Sequence, residues 1–175
     1  DAVVGLVEVQ AGGGLCSVML VQGSVMRLAA APSLPLALRQ RLDRLPVGEQ
    51  GGACGAAAGR REMVAVVDIE IDPLMAGYRE LAQEHGLRAC WSMPVLSGQG
   101  EALATFAVYH RDVQRPGPQA LALIETAARL VRIAVERDRS AQAVLASESR
   151  FRELAETVDE VFYVRELASG TLLYV

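Results

Sequence analysis

The sequence predicts an α+β fold, and three observations carry the prediction. Short apolar runs separated by glycine turns give several β-strands before residue 111, amphipathic segments with helix start and stop signals lie between them, and from Pro118 the pattern is helical to about Thr157. The 175 residues have room for one ordinary domain, commonly about 100–150 residues, and a piece of something else.

In chain order, Val3, Val4, Leu6, Val7 and Val9 read as the tail of a helix that starts before Asp1 and stops at Ala11-Gly12-Gly13-Gly14. Residues 16–21 and 25–31 form adjacent strands, joined by a Gln22-Gly23-Ser24 turn. In the first strand both alternating sets, Cys16, Val18, Leu20 and Met19, Val21, are apolar, as expected of a sheet covered on both faces. Leu38, Leu42 and Leu45 place a short amphipathic helix over 36–45, stopped by Pro46. The Gly- and Ala-rich stretch 48–59 reads as an irregular loop and 63–69 as a strand.

Asp72 is a good N-cap and Pro73 suits the first helical position, so a helix starts there. Leu74, Tyr78, Leu81 and Ala82 continue it, Gly77 divides it into two short pieces, and Gly86 supplies a left-handed C-cap. Residues 87–96 form a strand with Trp91 and Pro94 near its middle. Pro94 cannot donate to a ladder, so an irregular or edge segment is expected there. Residues 102–110 form the last strand of the domain, paired with the previous one through Ser97-Gly98-Gln99-Gly100.

The helix from Pro118 extends ~60 Å at ~1.5 Å per residue. Leu123, Ala127, Leu130 and Ala134, then Ala141, Val144, Leu145, Phe151, Leu154 and Ala155, mostly follow 3-4 spacing, interrupted at Arg137 and Glu148 and flanked by Glu136 and Arg139. Its first half is expected to cover the sheet and its second half to serve as a connector that pairs with a copy of itself. A strand at 161–166, a turn at Ala168-Ser169-Gly170 and the start of another strand close the chain. A lone hairpin is marginal, so Phe162, Tyr163, Leu172, Leu173 and Tyr174 are expected to find a surface on this molecule or a neighbour.

Composition excludes several function classes. All 17 basic residues are Arg, and Lys and Asn are absent. Without Lys there is no Schiff-base chemistry and no P-loop nucleotide site. A net charge of −4 offers no footprint for nucleic acid. Cys16, Cys54 and Cys90 form no CxxC pair and His85 and His110 are the two histidines, which argues against zinc and for reduced cysteines packed as small hydrophobes. Apolar runs fall far short of the ~20 residues of a membrane span, so a cytoplasmic protein without membrane contact is expected. Asp1 is not Met, which points to a segment of a longer protein.

The stretch GACGAAAGRREMVAVVDIEIDPLMAGYRELAQEHGLRACWSMPVL over 52–96, followed by ATFAVY over 104–109, resembles the central part of GAF domains of bacterial multidomain sensory proteins. The resemblance covers 1–137. It implies a central antiparallel sheet of about five to six strands flanked by helices, with a small pocket between one sheet face and the segments 48–59 and 72–88. The pocket residues it implies are Met26, Leu28, Cys54, Ala56, Val66, Asp68, Tyr78, Leu81, Arg88, Cys90, Ser92 and Phe106. SESRFRELAETVDEVFYVRELASGTLLYV resembles the opening of a PAS (sensory box) domain. The expected organisation is a GAF domain over 1–137, a connector helix over 138–157 and a truncated PAS domain over 158–175.

The function so implied is non-catalytic sensing of a small molecule, with no cofactor specified. The expected assembly is a homodimer through the terminal helices, and the expected output is a downstream histidine kinase or cyclic-di-GMP synthase or phosphodiesterase. Each site residue also has a plainer reading: Tyr78 and Trp91 as core residues with their polar atoms satisfied, Arg88 as the partner of Asp68 or Glu84. Backbone N–H groups of Gly51-Gly52-Ala53-Cys54-Gly55, or of the helix after Asp72, are candidates for an anion, although Asp72 opposes one at its helix.

Specialised members of the family supply further tests. Bilin-binding members carry a Cys-His pair, and neither His here adjoins a Cys. Cyclic-nucleotide-binding members carry an Asn-Lys motif whose residue types this chain lacks. Haem-binding members need an axial ligand such as His85, for which helix capping is the competing role. Free methionine-R-sulfoxide reductases have a cysteine motif similar to Gly52-Ala53-Cys54-Gly55, but their second cysteine would fall at Asp72-Pro73-Leu74-Met75. Such a reductase, a thiol redox sensor using Cys54 and Cys90, and a purely structural dimerisation module are the alternatives.

Overall fold

The computed structural model describes residues 2–10, 14–157, 164–165 and 172–174, with the side chains of 4–10 and 14–153. It contains helices α1 (Ala2–Gln10), α2 (Leu36–Leu42), α3 (Gly52–Arg60), α4 (Arg79–Glu84) and α5 (Pro118–Thr157). The strands are β1 (Leu15–Gln22), β2 (Val25–Ala30), β3 (Leu45–Pro46), β4 (Val64–Val66), β5 (Ala89–Leu96), β6 (Ala102–His110), β7 (Val164–Arg165) and β8 (Leu172–Tyr174). The first six strands form one antiparallel sheet in the order β3-β2-β1-β6-β5-β4. The α+β expectation therefore holds. The chain divides into two units, Asp1–Val135 and Glu136–Val175, with β7 and β8 paired antiparallel in the second. Phe162 and Tyr163 lie outside the described residues, as do the side chains of Leu172, Leu173 and Tyr174.

Each face of the sheet carries its own core, as the two-sided apolar pattern of β1 predicts. On one face Met19, Met26, Val66, Cys90 and Tyr109 meet Leu38 and Leu42 of α2, Cys54 and Ala57 of α3 and Ala82 of α4. On the other, Cys16, Val18, Trp91, Phe106 and Val108 meet Val4 and Val7 of α1 and Ile124, Ala127, Ala128 and Val131 of α5. Leu130 and Ala134, expected on the covering seam, are exposed instead, because α5 is apolar on more than one face and Ile124 and Val131 set its rotation.

The local signals around α4 are realised. Asp72 Oδ1 accepts the Leu74 N–H at 2.9 Å, a 3₁₀ turn spans Pro73–Met75, and α4 follows after a break at Gly77. Gly86 closes α4 at φ +66°, which Gly adopts without steric cost. Pro94 opposes Thr105 of β6, while β4 reaches no further along β5 than Ser92, so the missing N–H falls where β5 has no second neighbour. Strand β4 is shorter than the expected 63–69. Asp68 Oδ1 accepts the Glu70 N–H at 3.0 Å, and that local turn diverts the chain from the ladder.

The largest correction is α3. Residues 48–59 are not an irregular loop: a 3₁₀ turn at Glu49–Gly51 leads into a helix through Arg60. The alanines favour the helix, and Gly51, Gly55 and Gly59, four apart, line the face that meets the backbone of 46–48. A Cβ on Gly55 would stand 2.5 Å from both Pro46 O and Gly48 O. That close approach holds the opposite face of α3, with Cys54 and Ala57, against the sheet.

The His110 ring lies 4.1 Å from that of Trp91, tilted by 45°, and burial pulls its pKa below 6.5 while Asp112 partly opposes the shift. Folded protein thus binds fewer protons than unfolded chain just below pH 6.5. Stability should fall as the pH drops through 6.5 toward the lower folded value, and less steeply in His110→Gln, as measured by urea titrations across that range.

Candidate functional site

A cavity of ≈ 30 Å³ lies on the α2/α3/α4 side of the sheet. Leu38 and Leu42 of α2, Leu45 of β3, Gly51 to Cys54 at the start of α3, Ile69, Met75, Tyr78, Leu81, Ala82 and Leu87 form its walls, and Cys90 and Tyr109 form its floor. All are buried except the half-exposed Tyr78 and Leu81, which form the mouth. A water needs roughly 10–15 Å³, whereas organic ligands occupy pockets of about 300–1,000 Å³. The closed pocket therefore admits a species of a few heavy atoms. A larger hollow of ≈ 530 Å³ on the opposite face is lined by Trp91, His110, Arg111 and Gln119 among others. Its rim residues Gln10 and Gly14 flank 11–13, outside the described residues, and Trp91 Nε1 is already bonded to Gln114 O at 3.2 Å. The smaller cavity is the better site because Cys54, in its wall, is surrounded by buried polar groups.

That convergence centres on Cys54. Tyr109 Oη lies 3.8 Å from Cys54 Sγ and 3.1 Å from Ser17 Oγ, all buried. Ser92 Oγ and Thr105 Oγ1 are also fully buried and meet no protein partner at full hydrogen-bonding geometry. Both nevertheless lie near enough to Cys54 to favour its thiolate. The Cys90 thiol is the main influence on Cys54: its S–H favours negative charge there, outweighing burial and bringing Cys54 down to about 7. The same contact, with burial, pushes Cys90 well up. Cys16, on the opposite face, is pushed up to about 12 by burial and Glu8.

Of the sequence-predicted site residues, Cys54, Tyr78, Leu81 and Cys90 line the cavity together. Met26, Leu28, Ala56 and Val66 belong to the same core, away from the cavity walls, and Ser92 is buried on that face. Arg88 Nη2 pairs with Asp68 at 3.3 Å and Glu70 at 3.2 Å, while its buried Nε meets no hydrogen-bond partner, and Arg88 lies outside the cavity walls. Tyr78 Oη donates to Gln50 O at 2.9 Å and its ring covers Gly52. Two of the expected anion donors are spent: Gly51 N–H bonds Gly48 O, and Gly52 N–H bonds Glu49 O. His85 is the C-cap residue of α4, and no cluster of three metal-ligating side chains occurs among the described residues.

Phe106 is corrected outright, since it lies in the α1/α5 core. Leu96 pairs with Ala102 but Val95 with Ala104, and this bulge shifts the register so that Phe106 opposes Met93 while Ala107 opposes Ser92. A one-residue slip sends a strand's side chains to the other face. Tyr109 takes the inward parity instead. Its place in an apolar strand was its available signal, but strand parity needed the bulge.

Residues 1–135 match the GAF domain family. The chain is similar to the methyl sulfide methyltransferase-associated sensor of Methanosarcina acetivorans, with 38% identity over 156 residues, 88% of this chain and 16% of that protein. The chain thus spans about a sixth of that relative. Among solved structures, a domain assigned to a two-component sensor histidine kinase of Sinorhizobium meliloti 1021 aligns with TM-score 0.66 and 19% identity, over 81% of this chain and 91% of that one. The free methionine-R-sulfoxide reductase of Neisseria meningitidis aligns with TM-score 0.62 and 18% identity, over 80% and 77%. At such identities the structural likeness speaks for the fold alone. No described helix is long and apolar enough to cross a membrane. With the family match over most of its length and the antiparallel sheet flanked by helices, the chain belongs to the GAF domain family.

Proposed function

We propose that this chain is a non-catalytic, small-molecule-sensing GAF domain of a signal-transduction protein. The observation that carries this reading is the cavity between the sheet and α2, α3 and α4, whose apolar walls include Cys54 and Cys90, with the Tyr109 hydroxyl 3.8 Å from Cys54 Sγ. Ligand binding favours one arrangement of the mouth residues Tyr78 and Leu81 and of the helices behind them, and only a difference in affinity between arrangements drives the shift. Helix α5 carries the change onward through a connector at 138–157 to a PAS domain that begins within 158–175 and to an effector beyond. The relative from Methanosarcina, itself a sensor, supports this reading.

Native mass spectrometry of freshly purified, reduced protein tests it. The expected spectrum contains a retained low-mass molecule. A bare polypeptide, with no thermal shift across a metabolite panel, would instead favour a structural dimerisation module.

The exposed apolar residues of α5 support pairing with a second copy: Leu130 is 42% and Ile133 59% exposed. Leu130→Arg is expected to leave the fold intact, convert dimer to monomer in sedimentation equilibrium and abolish downstream output in the full-length protein. A dimeric variant with normal output contradicts the connector. No turnover of free methionine sulfoxide with a thiol reductant is expected.

A further inference from the structure

Two buried thiols share the candidate pocket, and they come from different layers. Cys54 projects from α3 and Cys90 from β5, both are buried in one core, and both line a cavity of ≈ 30 Å³. Cys90 is the cross-strand partner of Tyr109, whose hydroxyl lies 3.8 Å from Cys54 Sγ, so both cysteines neighbour the same Tyr109 side chain. The cavity as it stands holds a molecule of two or three heavy atoms.

We propose that Cys54 and Cys90 form a two-electron redox pair, oxidised to a disulfide by a hydroperoxide small enough to enter this cavity, hydrogen peroxide being the fitting member of the class. The inference rests on reading the cavity as the sensory site, and it names the chemistry of the stimulus. Cys54 thiolate attacks one peroxide oxygen, the O–O bond breaks, and hydroxide leaves with a proton to become water, giving the sulfenic acid. The Cys90 sulfur then attacks Cys54 Sγ, the S–O bond breaks, and a second water leaves as the S–S bond forms. Two thiols lose two electrons and two protons, and one peroxide becomes two waters.

The surroundings fit those roles. Cys90 favours the thiolate at Cys54, which stands at about 7, so the nucleophile is available near neutral pH, while Cys90 stays protonated until the second step. Tyr109 Oη is within reach of Cys54 Sγ, and the buried Ser92 and Thr105 hydroxyls lie near Cys54 without a full hydrogen bond of their own, leaving donors for a departing hydroxide. Cys16 is an internal control, in the opposite core beside Glu8.

The test treats reduced protein with hydrogen peroxide or the bulkier tert-butyl hydroperoxide, blocks free thiols under denaturing conditions, and maps peptides without reduction. A Cys54 to Cys90 cross-linked peptide is expected in wild type and in Cys16→Ser, forming at least tenfold faster with hydrogen peroxide. Cys90→Ser should instead accumulate a dimedone-reactive sulfenic acid at Cys54. Tyr109→Phe should raise the pH midpoint of Cys54 oxidation by about one unit while its peptide map keeps the same cross-link. The proposal is overturned if Cys54 and Cys90 both remain alkylatable at doses that fully oxidise glutathione in the same tube. Cross-linking to Cys16, or equal rates with the two oxidants, overturns it as well. A metabolite retained by reduced protein that forms no disulfide would remove this inference and leave the sensory function standing.

Discussion

Phe106→Ala will lower stability by about 3–5 kcal/mol, the cost of emptying a large buried site that its surroundings cannot refill. Phe106 is 0% exposed, in the centre of β6, packed with Trp91, Val108 and the α1 and α5 side chains. In a chain of this size the melting temperature should drop roughly 6–20 °C. The variant also decides which face Phe106 serves. Its cavity opens in the α1/α5 core, so calorimetry should show the loss while Cys54, across the sheet, keeps the alkylation rate it has in wild type. A Phe106 on the pocket face would change both.

Gly55→Ala will be nearly as damaging despite adding a single methyl. That Cβ would sit 2.5 Å from two backbone oxygens, Pro46 O and Gly48 O, and neither can swing aside as a flexible side chain would. The Gly48 N–H also donates to Gly55 O at 2.8 Å, so pushing α3 away breaks this bond as well. Overpacking of this kind costs about 1–3 kcal/mol and more where backbone must move. The expected result is a fall of at least several degrees in melting temperature, with Cys54 thiol reactivity altered because α3 no longer seats it against the sheet. Gly77→Ala, at a glycine with open space around it, should leave both readouts near wild type.

These variants bear on what was legible in the sequence. Long periodic elements were: β1, β2, β5, β6 and α5 each carry a pattern that fits one kind of element, and the Asp72, Pro73 and Gly86 signals near α4 act locally. Strand β3, two residues long, offers no periodicity to detect. Helix α3 was hidden because glycines usually mark loops, whereas here Gly51, Gly55 and Gly59 serve contact with the backbone at 46–48, which becomes visible once the chain is folded. Cys54, Tyr78, Leu81 and Cys90 were recognisable through family resemblance and do converge on the cavity. Phe106 and Tyr109 exchanged roles because one bulge at Val95 and Leu96 sets the parity of β6.

If the α2/α3/α4 cavity receives a small molecule, as proposed, then filling its wall must block binding. Thermal-shift titration of reduced wild type against Leu38→Phe, which adds a ring to the buried cavity wall, tests that directly. The prediction is a compound that raises the wild-type melting temperature in a saturable way and leaves Leu38→Phe unmoved, even though that variant folds and melts cooperatively. An equal shift in both proteins, or none in wild type for any small molecule tried, would contradict it.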